Sequence, residues 1–150
     1  MKKLLCAILS VFMILSLVAC GGKETTTVLT MEQEGITINY ELLAEGDVVK
    51  QITQTSILDG SAFDEATLDL MLESADGYKE AYEAYTGVSY TLEEDGTNLV
   101  ETITIDTTDM DVLQELSDAG LVPMDTEGAD VVSLEKTVEN LKELGMTVKE

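Results

Sequence analysis

The sequence predicts an α+β fold in which an antiparallel β-sheet meander is packed by helices. Three observations predict it. Residues 36–42 alternate apolar and polar side chains, residues 63–86 carry apolar side chains every three or four positions, and glycine-containing turns separate the segments. Alternation is typical of a strand with one buried face, and the wider spacing is typical of a helix with one buried face. The predicted order of elements is βββ-α-ββ-α-α.

Three strands open the predicted fold. The central one covers residues 36–42, where isoleucines, a tyrosine and a leucine occupy every second position. We expect a strand over residues 28–32 before it, across a turn near Gly35, and a strand over residues 47–57 after it. Because short turns join all three, they should pair in sequence as a meander.

A helix over residues 63–86 is predicted next. Ser61 with Asp64 should cap its start, Gly87 should end it, and the Asp76-Gly77 pair should kink or split it. Its tyrosines could form a ligand platform, but aromatic residues at helical spacing usually pack in a core, and that is our expectation here. The predicted buried face consists of Leu68, Met71, Leu72, Ala75, Tyr78, Tyr82 and Tyr85.

Two strands and two helices complete the chain. Strands over residues 88–93 and 99–106 are joined by an Asp-Gly hairpin turn, and helices follow over residues 111–118 and 134–144, the second capped by Ser133.

Two parts of the chain share a pattern. The segments 35–53 and 87–104 each run strand, glycine turn, strand and then lead to a helix. A ββα duplication would explain this likeness, although strands of similar composition also look alike by chance.

The N-terminal segment has the layout of a signal peptide. Lys2 and Lys3 are followed by an apolar run over residues 4–19, interrupted only by two serines. A helix of this length reaches about 24 Å, which is short of a hydrocarbon core of about 30 Å. We therefore predict that residues 1–19 are a signal peptide rather than a membrane span.

The signal peptide ends in Leu17, Val18, Ala19 and Cys20, a run that resembles the lipobox of bacterial lipoproteins. The resemblance implies that the signal peptidase recognises the first three residues and that Cys20 is lipidated and becomes the new N-terminus. Residues 20–27 are then predicted to be a flexible tether and residues 28–150 a single acidic domain. The expected location is the extracytoplasmic face of a bacterial membrane, with the lipid anchor as the contact to that membrane.

Charge excludes one class of partner. The chain has 30 acidic residues against 8 lysines, without arginine or histidine, and a formal net charge of −22. Loss of Lys2 and Lys3 with the signal peptide changes this to −24, because −22 − 2 = −24. Nucleic acid binding depends on cationic side chains that neutralise phosphates, so we expect no nucleic acid partner. The same charge repels the domain from anionic lipid headgroups, so its attachment to the membrane should depend on the lipid anchor.

The residue inventory also limits the chemistry. Without histidine, Ser-His-Asp and Cys-His arrangements cannot form, and Cys6, the only other cysteine, lies in the signal peptide. We expect no cofactor, no catalytic residue and no enzymatic activity. The weak candidates for metal ligands are Asp106, Asp109 and Asp111, whose oxygens could hold calcium. The preferred interpretation is that Asp109 or Asp111 caps the following helix.

These observations favour a non-catalytic envelope module that binds an unidentified envelope protein or a small ligand. One alternative is a hydrolase that cleaves cell-wall glycans with a pair of carboxylates. The other alternative is a calcium-binding surface protein.

The region after the tether resembles the YehR-like bacterial lipoproteins, a domain class of unassigned function. The likeness lies in residues 46–53, 87–90 and 99–106, in the Ser133 start of the last helix and in its Leu144-Gly145 end. The resemblance implies an α+β fold with an antiparallel sheet packed by helices. It supplies no catalytic residues.

Overall fold

The computed structural model of the chain describes residues 23–124 and 128–149. The predicted signal peptide and Leu17, Val18, Ala19 and Cys20 lie outside the described residues, so lipidation stays a prediction. Among the residues described, no helix has both the length and the apolar character needed to cross a membrane.

Six strands form one antiparallel sheet in the order β4-β5-β3-β2-β1-β6. In the described part of the chain, three helices and a short 3-10 helix, Gly60–Ala62, accompany it. The strands are β1 Glu24–Gln33, β2 Ile36–Glu45, β3 Val48–Asp59, β4 Val88–Asp95, β5 Asn98–Asp106 and β6 Thr147–Val148. The helices are α1 Glu65–Glu83, α2 Met110–Asp118 and α3 Leu134–Glu143.

The predicted α+β fold is confirmed. Strands β1, β2 and β3 form the meander, and α1 then carries the chain past β5 to β4, so that β5 pairs with β3. The hairpins β2–β3 and β4–β5 are each followed by a helix, and they are the units that a ββα duplication would relate.

The two faces of the sheet differ in chemistry. Residues directly opposite each other in antiparallel strands project to the same face. One such row runs Leu29, Tyr40, Gln54, Ile103 and Tyr90, and four of its five members are apolar or aromatic. This face belongs to the hydrophobic core, together with buried residues of all three helices. On the other face the neighbouring row runs Thr30, Asn39, Thr55, Thr102 and Thr91, and none of these is buried.

The first strand is longer than predicted. It begins at Glu24 instead of Val28, and Glu24–Thr27 pair with the end of β2. The last four residues of the predicted 20–27 tether therefore belong to the sheet. Threonine favours strands, but a run of threonines shows no alternation that would reveal the pairing.

Helix α1 is shorter than the predicted 63–86, and its cap differs. Asp64 is the N-cap and accepts a 2.8 Å hydrogen bond from the Thr67 backbone N–H. Ser61 takes no part, because it lies in the 3-10 helix and donates to Asp59. The helix also runs unbroken through Gly77, since an interior glycine costs only about 1 kcal/mol relative to alanine.

Fewer residues of α1 are buried than the predicted buried face contains. Tyr82 and Ala75 are buried, and Tyr85 packs against the core. Tyr78, in contrast, is 54% exposed. Tyr82 stacks on Tyr90 of β4 with ring centroids 6.0 Å apart, so the expected core role of the tyrosines holds at the C-terminal end of the helix.

Candidate functional site

A cavity of about 360 Å³ lies between the sheet and the α2–α3 side of the helical layer. Its floor contains Ile52 of β3 with Ile103 and Ile105 of β5, all of them buried. Val122 and Leu141 are buried residues of its walls. Small-molecule sites usually have volumes of roughly 300–1,000 Å³ and mostly apolar walls, so this cavity has the size and the lining of a binding site.

The chain after α2 forms one wall of the cavity and is held by hydrogen bonds to both α2 and α1. The Leu121 backbone N–H donates to the Leu116 carbonyl over 2.9 Å. The Tyr82 hydroxyl donates to the Leu121 carbonyl over 2.6 Å, and the Ser117 hydroxyl donates to the Met124 carbonyl over 2.6 Å. This wall is therefore fixed both to α2 and to α1.

The opposite wall is α3, and Asp47 in the β2–β3 turn holds its first turn in place. The Asp47 carboxylate accepts hydrogen bonds from the Ser133 hydroxyl over 2.8 Å and from the Glu135 backbone N–H over 2.9 Å. The Leu134 N–H donates to the Asp47 carbonyl over 2.8 Å. The bond from Glu135, followed by that from Ser133, lowers the pKa of Asp47. We call this arrangement the Asp47 clamp.

Ser133 is the N-cap of α3, as predicted, since its hydroxyl also accepts from the Lys136 N–H over 3.3 Å. The clamp is completed by the Val49 N–H, which donates to the Val132 carbonyl over 2.9 Å. Residues more than 80 positions apart in the chain thus fix the angle at which α3 crosses the cavity.

Most polar groups inside the cavity already have protein partners. The Tyr40 hydroxyl donates to Gln54, whose amide donates in turn to the Ser56 hydroxyl over 3.2 Å. The Thr137 hydroxyl donates to the Ser133 carbonyl over 2.7 Å. Burial raises the pKa of Tyr40 and is the main cause that raises the pKa of Tyr82 to about 12, so both phenols stay neutral at physiological pH. The interior is therefore neutral.

The mouth of the cavity follows one side of α3. Lys136, Asn140 and Leu144 line it at four-residue intervals, and Val131 of the preceding segment also lines the cavity. Leu144 is 61% exposed and Val131 is 49% exposed. The mouth thus combines exposed apolar surface with one cationic side chain.

The charges of the cavity differ from those of the rest of the chain. Acidic residues make up 30 of the 150 positions, but none of the 21 described residues that line the cavity is acidic. Lys136 is the only charged residue among those 21. A glycoside hydrolase needs two carboxylates in its cleft, and the described lining of this cavity offers none.

The three aspartates considered as metal ligands lie in turn and cap positions. Asp109 is the N-cap of α2 and accepts from the N–H groups of Asp111 and Val112, as the capping interpretation predicted. Asp106 accepts from the Thr108 hydroxyl over 2.6 Å and from its N–H over 2.9 Å, and these bonds lower the pKa of Asp106. Within residues 23–124 and 128–149, no group of three or more acidic side chains is placed to hold a metal ion.

Several carboxylates do share a second, more open depression near the β1–β2 turn, where Glu32, Glu34 and Asp59 lie. Asp59 accepts from the N–H and the hydroxyl of Ser61, and these bonds lower the pKa of Asp59. Its carboxylate is therefore used to start the 3-10 helix.

Sequence reasoning missed the cavity. The sequence predicts a loop between the helices over residues 111–118 and 134–144, and residues 125–127 of it lie outside the described part of the chain. A usable signal was present in two apolar pairs inside that loop, Leu121-Val122 and Val131-Val132. Apolar pairs in a predicted loop indicate that the segment packs on something.

Comparison with protein families gives one match that covers most of the chain. The family described as "Protein of unknown function (DUF1307)" matches residues 24–147. The chain belongs to the DUF1307 family. The matched region contains every strand and helix except the last residue of β6, so family membership covers the whole described fold. No curated protein matches the chain in sequence.

Two solved structures share the fold of this DUF1307 member. The NMR structure of YehR from Escherichia coli has a TM-score of 0.66 at 19% identity, and the match covers 85% of this chain and 92% of YehR. An NMR structure of a protein from Streptococcus pneumoniae has a TM-score of 0.58 at 14% identity, and the match covers 99% of this chain and 96% of that protein. The predicted likeness to the YehR-like proteins is thus confirmed.

Proposed function

We propose that this DUF1307 protein is a lipid-anchored, non-catalytic protein of the bacterial cell envelope that binds small apolar molecules in the cavity beside α3. The observation that carries the proposal is the cavity itself, which is apolar, of ligand size and open at a mouth with exposed Val131 and Leu144. Exposed apolar side chains beside a cavity are typical of binding sites.

The anchor is supported by the sequence around Cys20. Because β1 begins at Glu24, the lipidated residue would lie four positions before the sheet, and four residues span at most about 14 Å. The domain would then stay close to the membrane although its charge is repelled by anionic headgroups. Apolar molecules that leave or enter the bilayer would pass within reach of the cavity.

Metabolic labelling with a fatty-acid probe tests the anchor. The wild-type chain should take up label and Cys20→Ala should not. Cys6→Ala is the matched control, because it removes the other cysteine from the predicted signal peptide and should leave labelling intact. Undiminished labelling of Cys20→Ala would show that the anchor is wrongly placed.

Ligand binding tests the cavity. The core residues that the structure describes run from Leu29 to Met146, so a protein that begins at Lys23 retains all of them. Titration of this domain with an uncharged long-chain alcohol such as dodecanol should shift the NMR signals of cavity-lining residues. Ala129→Trp, which places a large side chain in the lining, should reduce binding, whereas Ala119→Trp at the exposed C-cap of α2 should not.

The proposal fails if probes of this kind produce no shift at the lining residues of the wild-type domain. It also fails if both tryptophan variants bind as the wild type does, because binding would then lie elsewhere.

A further inference from the structure

The mouth of the cavity carries two side chains whose hydrogen-bonding groups are unused. Lys136 and Asn140 lie one helical turn apart on α3, and both line the cavity. In the described part of the chain, neither side chain makes a hydrogen bond, and the Lys136 ammonium has no carboxylate within 4.0 Å. The hydroxyls of Tyr40, Tyr82 and Thr137, in contrast, all donate to protein acceptors.

We propose that the cavity binds amphiphiles with one apolar chain and an anionic head group, and that Lys136 and Asn140 hold the head. This proposal rests on the proposed binding of apolar molecules in the same cavity. A carboxylate and a phosphate share the chemistry required here, since each has a negative charge and several acceptor oxygens. The Lys136 ammonium supplies the charge and three donors, and the Asn140 amide supplies two donors.

The described lining of the cavity differs in charge from the surface around it. The domain is strongly acidic, but no described lining residue of the cavity carries a carboxylate. Asp47 attracts Lys136, and this attraction is the smallest of the causes that lower the pKa of Asp47. The described acids Asp130, Glu135 and Glu139 adjoin lining residues in the chain, but none has a carboxylate oxygen within 4.0 Å of the Lys136 ammonium. Both Asp47 oxygens already accept hydrogen bonds, from Ser133 and Glu135, so the ammonium remains available.

The geometry also separates head from chain. Lys136 and Asn140 are exposed residues of the mouth, whereas Ile52, Ile103 and Leu141 are buried residues of the lining. An amphiphile placed with its head at α3 would bury its chain against the sheet floor. An amphiphile with a neutral head would make the same apolar contacts without the charged contact. A cationic head would be repelled by the ammonium of Lys136.

Photolabelling of the full chain in bacterial membranes tests this proposal. The probe is a photoreactive twelve-carbon fatty acid, and labelled peptides are released with a protease that cleaves after glutamate, so that lysine variants give the same fragments. The competitors are dodecanoate, dodecyl phosphate, dodecanol and dodecyltrimethylammonium. We expect label on fragments that contain lining residues of the cavity, and we expect the anionic competitors to displace it at roughly tenfold lower concentration than dodecanol, an effect of about 1.4 kcal/mol.

Lys136→Met should remove this preference, because methionine keeps an apolar stem without the charge. Lys142→Met is the matched control, since Lys142 is an exposed lysine of α3 that does not line the cavity, and its loss should leave the preference unchanged. Asn140→Leu should weaken the displacement by the anionic competitors less than Lys136→Met does.

The outcomes separate the two proposals. Equal displacement by anionic and neutral competitors, with label still at the cavity, overturns the head-group proposal and leaves apolar binding intact. Absence of label at the cavity overturns both. Stronger displacement by dodecanoate than by dodecyl phosphate identifies a carboxylate head, and the reverse order identifies a phosphate head. The competitor series uses the wild-type chain, so the test does not depend on the folding of any variant.

Discussion

Helices α1 and α2 cover the same face of the sheet, but they are held in different ways. Helix α1 has 19 residues and buries only Ala75 and Tyr82, while Leu70 is 63% exposed. Helix α2 has 9 residues and buries Leu113 and Leu116 completely. Burial of a leucine side chain stabilises by roughly 1.5–3 kcal/mol, so the shorter helix contributes more per residue to the core.

This difference explains where the cavity lies. Helix α2 provides a firmly packed support for the segment after it. The Asp47 clamp fixes the first turn of α3 by hydrogen bonds, and Leu141 packs this helix against the core. The space between the two walls is therefore maintained without being filled. Helix α1, whose main partner is the edge strand β4, reaches the cavity through Tyr82.

The largest effect expected from this comparison is that of Leu113→Ala. Removal of a fully buried leucine side chain leaves a void and should lower the free energy of unfolding by about 2–5 kcal/mol. Leu70→Ala on α1 is the matched control, because its side chain is mostly exposed, and its effect should stay within about 0.5 kcal/mol. Urea denaturation of both variants measures the difference. Equal losses would contradict the unequal roles of the two helices.

A smaller effect is expected from Asp47→Ala, which removes the carboxylate of the Asp47 clamp. The unfolding midpoint should fall less than for Leu113→Ala, since the hydrogen bonds of an exposed group are lost and no core void is formed. Glu45→Ala removes an exposed acid next to the same turn and serves as the control.

The effect of Asp47→Ala should depend on pH with a defined sign. The folded pKa of Asp47 lies below its ordinary value of 3.8, so the ionised form is favoured by folding. Its stabilisation is present above about pH 4 and is lost as the pH falls through the folded pKa. Melting curves of wild type and Asp47→Ala should therefore differ most near neutral pH and converge in acid. A difference that grows in acid would contradict the clamp.

The sequence predicts the parts of the fold that repeat a pattern over several residues. Strand β2 alternates across its length, and the glycine turns at Gly46 and Gly96 separate pairs of strands that the structure confirms. Prediction from the sequence fails where the pattern of side chains is short or uniform. Strand β6 has only two residues, too few for any period, and the threonines after Glu24 are polar on both faces of an edge region.

The cavity cannot be predicted from local sequence patterns because it is formed by tertiary contacts. Ile52, Ile103 and Leu141 come from three elements, and each is predicted simply as an apolar member of its own strand or helix. Their approach depends on the crossover that places β5 next to β3 and on the Asp47 clamp. The local pattern also predicts that Tyr78 is buried in the core, but the structure leaves it exposed. The periodicity identifies one face of α1 and does not show which part of its length packs against the sheet.

The smallest effect on stability is expected from removing the hydrogen bond between α1 and the segment that follows α2. Tyr82→Phe removes the hydroxyl that donates to the Leu121 carbonyl on the cavity wall while keeping the ring stacked on Tyr90. The loss of one such hydrogen bond should lower the free energy of unfolding by about 1 kcal/mol. Tyr78→Phe is the control, since Tyr78 lies on the same helix and is mostly exposed, and it should change nothing measurable.

Burial of the Tyr82 hydroxyl leads to a further prediction at alkaline pH. The pKa of Tyr82 is raised to about 12, so its neutral form is favoured by folding and its contribution persists below about pH 10. The stability advantage of wild type over Tyr82→Phe should then be lost as the pH rises toward 12. An advantage that is unchanged over this range would show that folding does not favour the neutral form of Tyr82, and so that its hydroxyl is not desolvated beside the cavity wall.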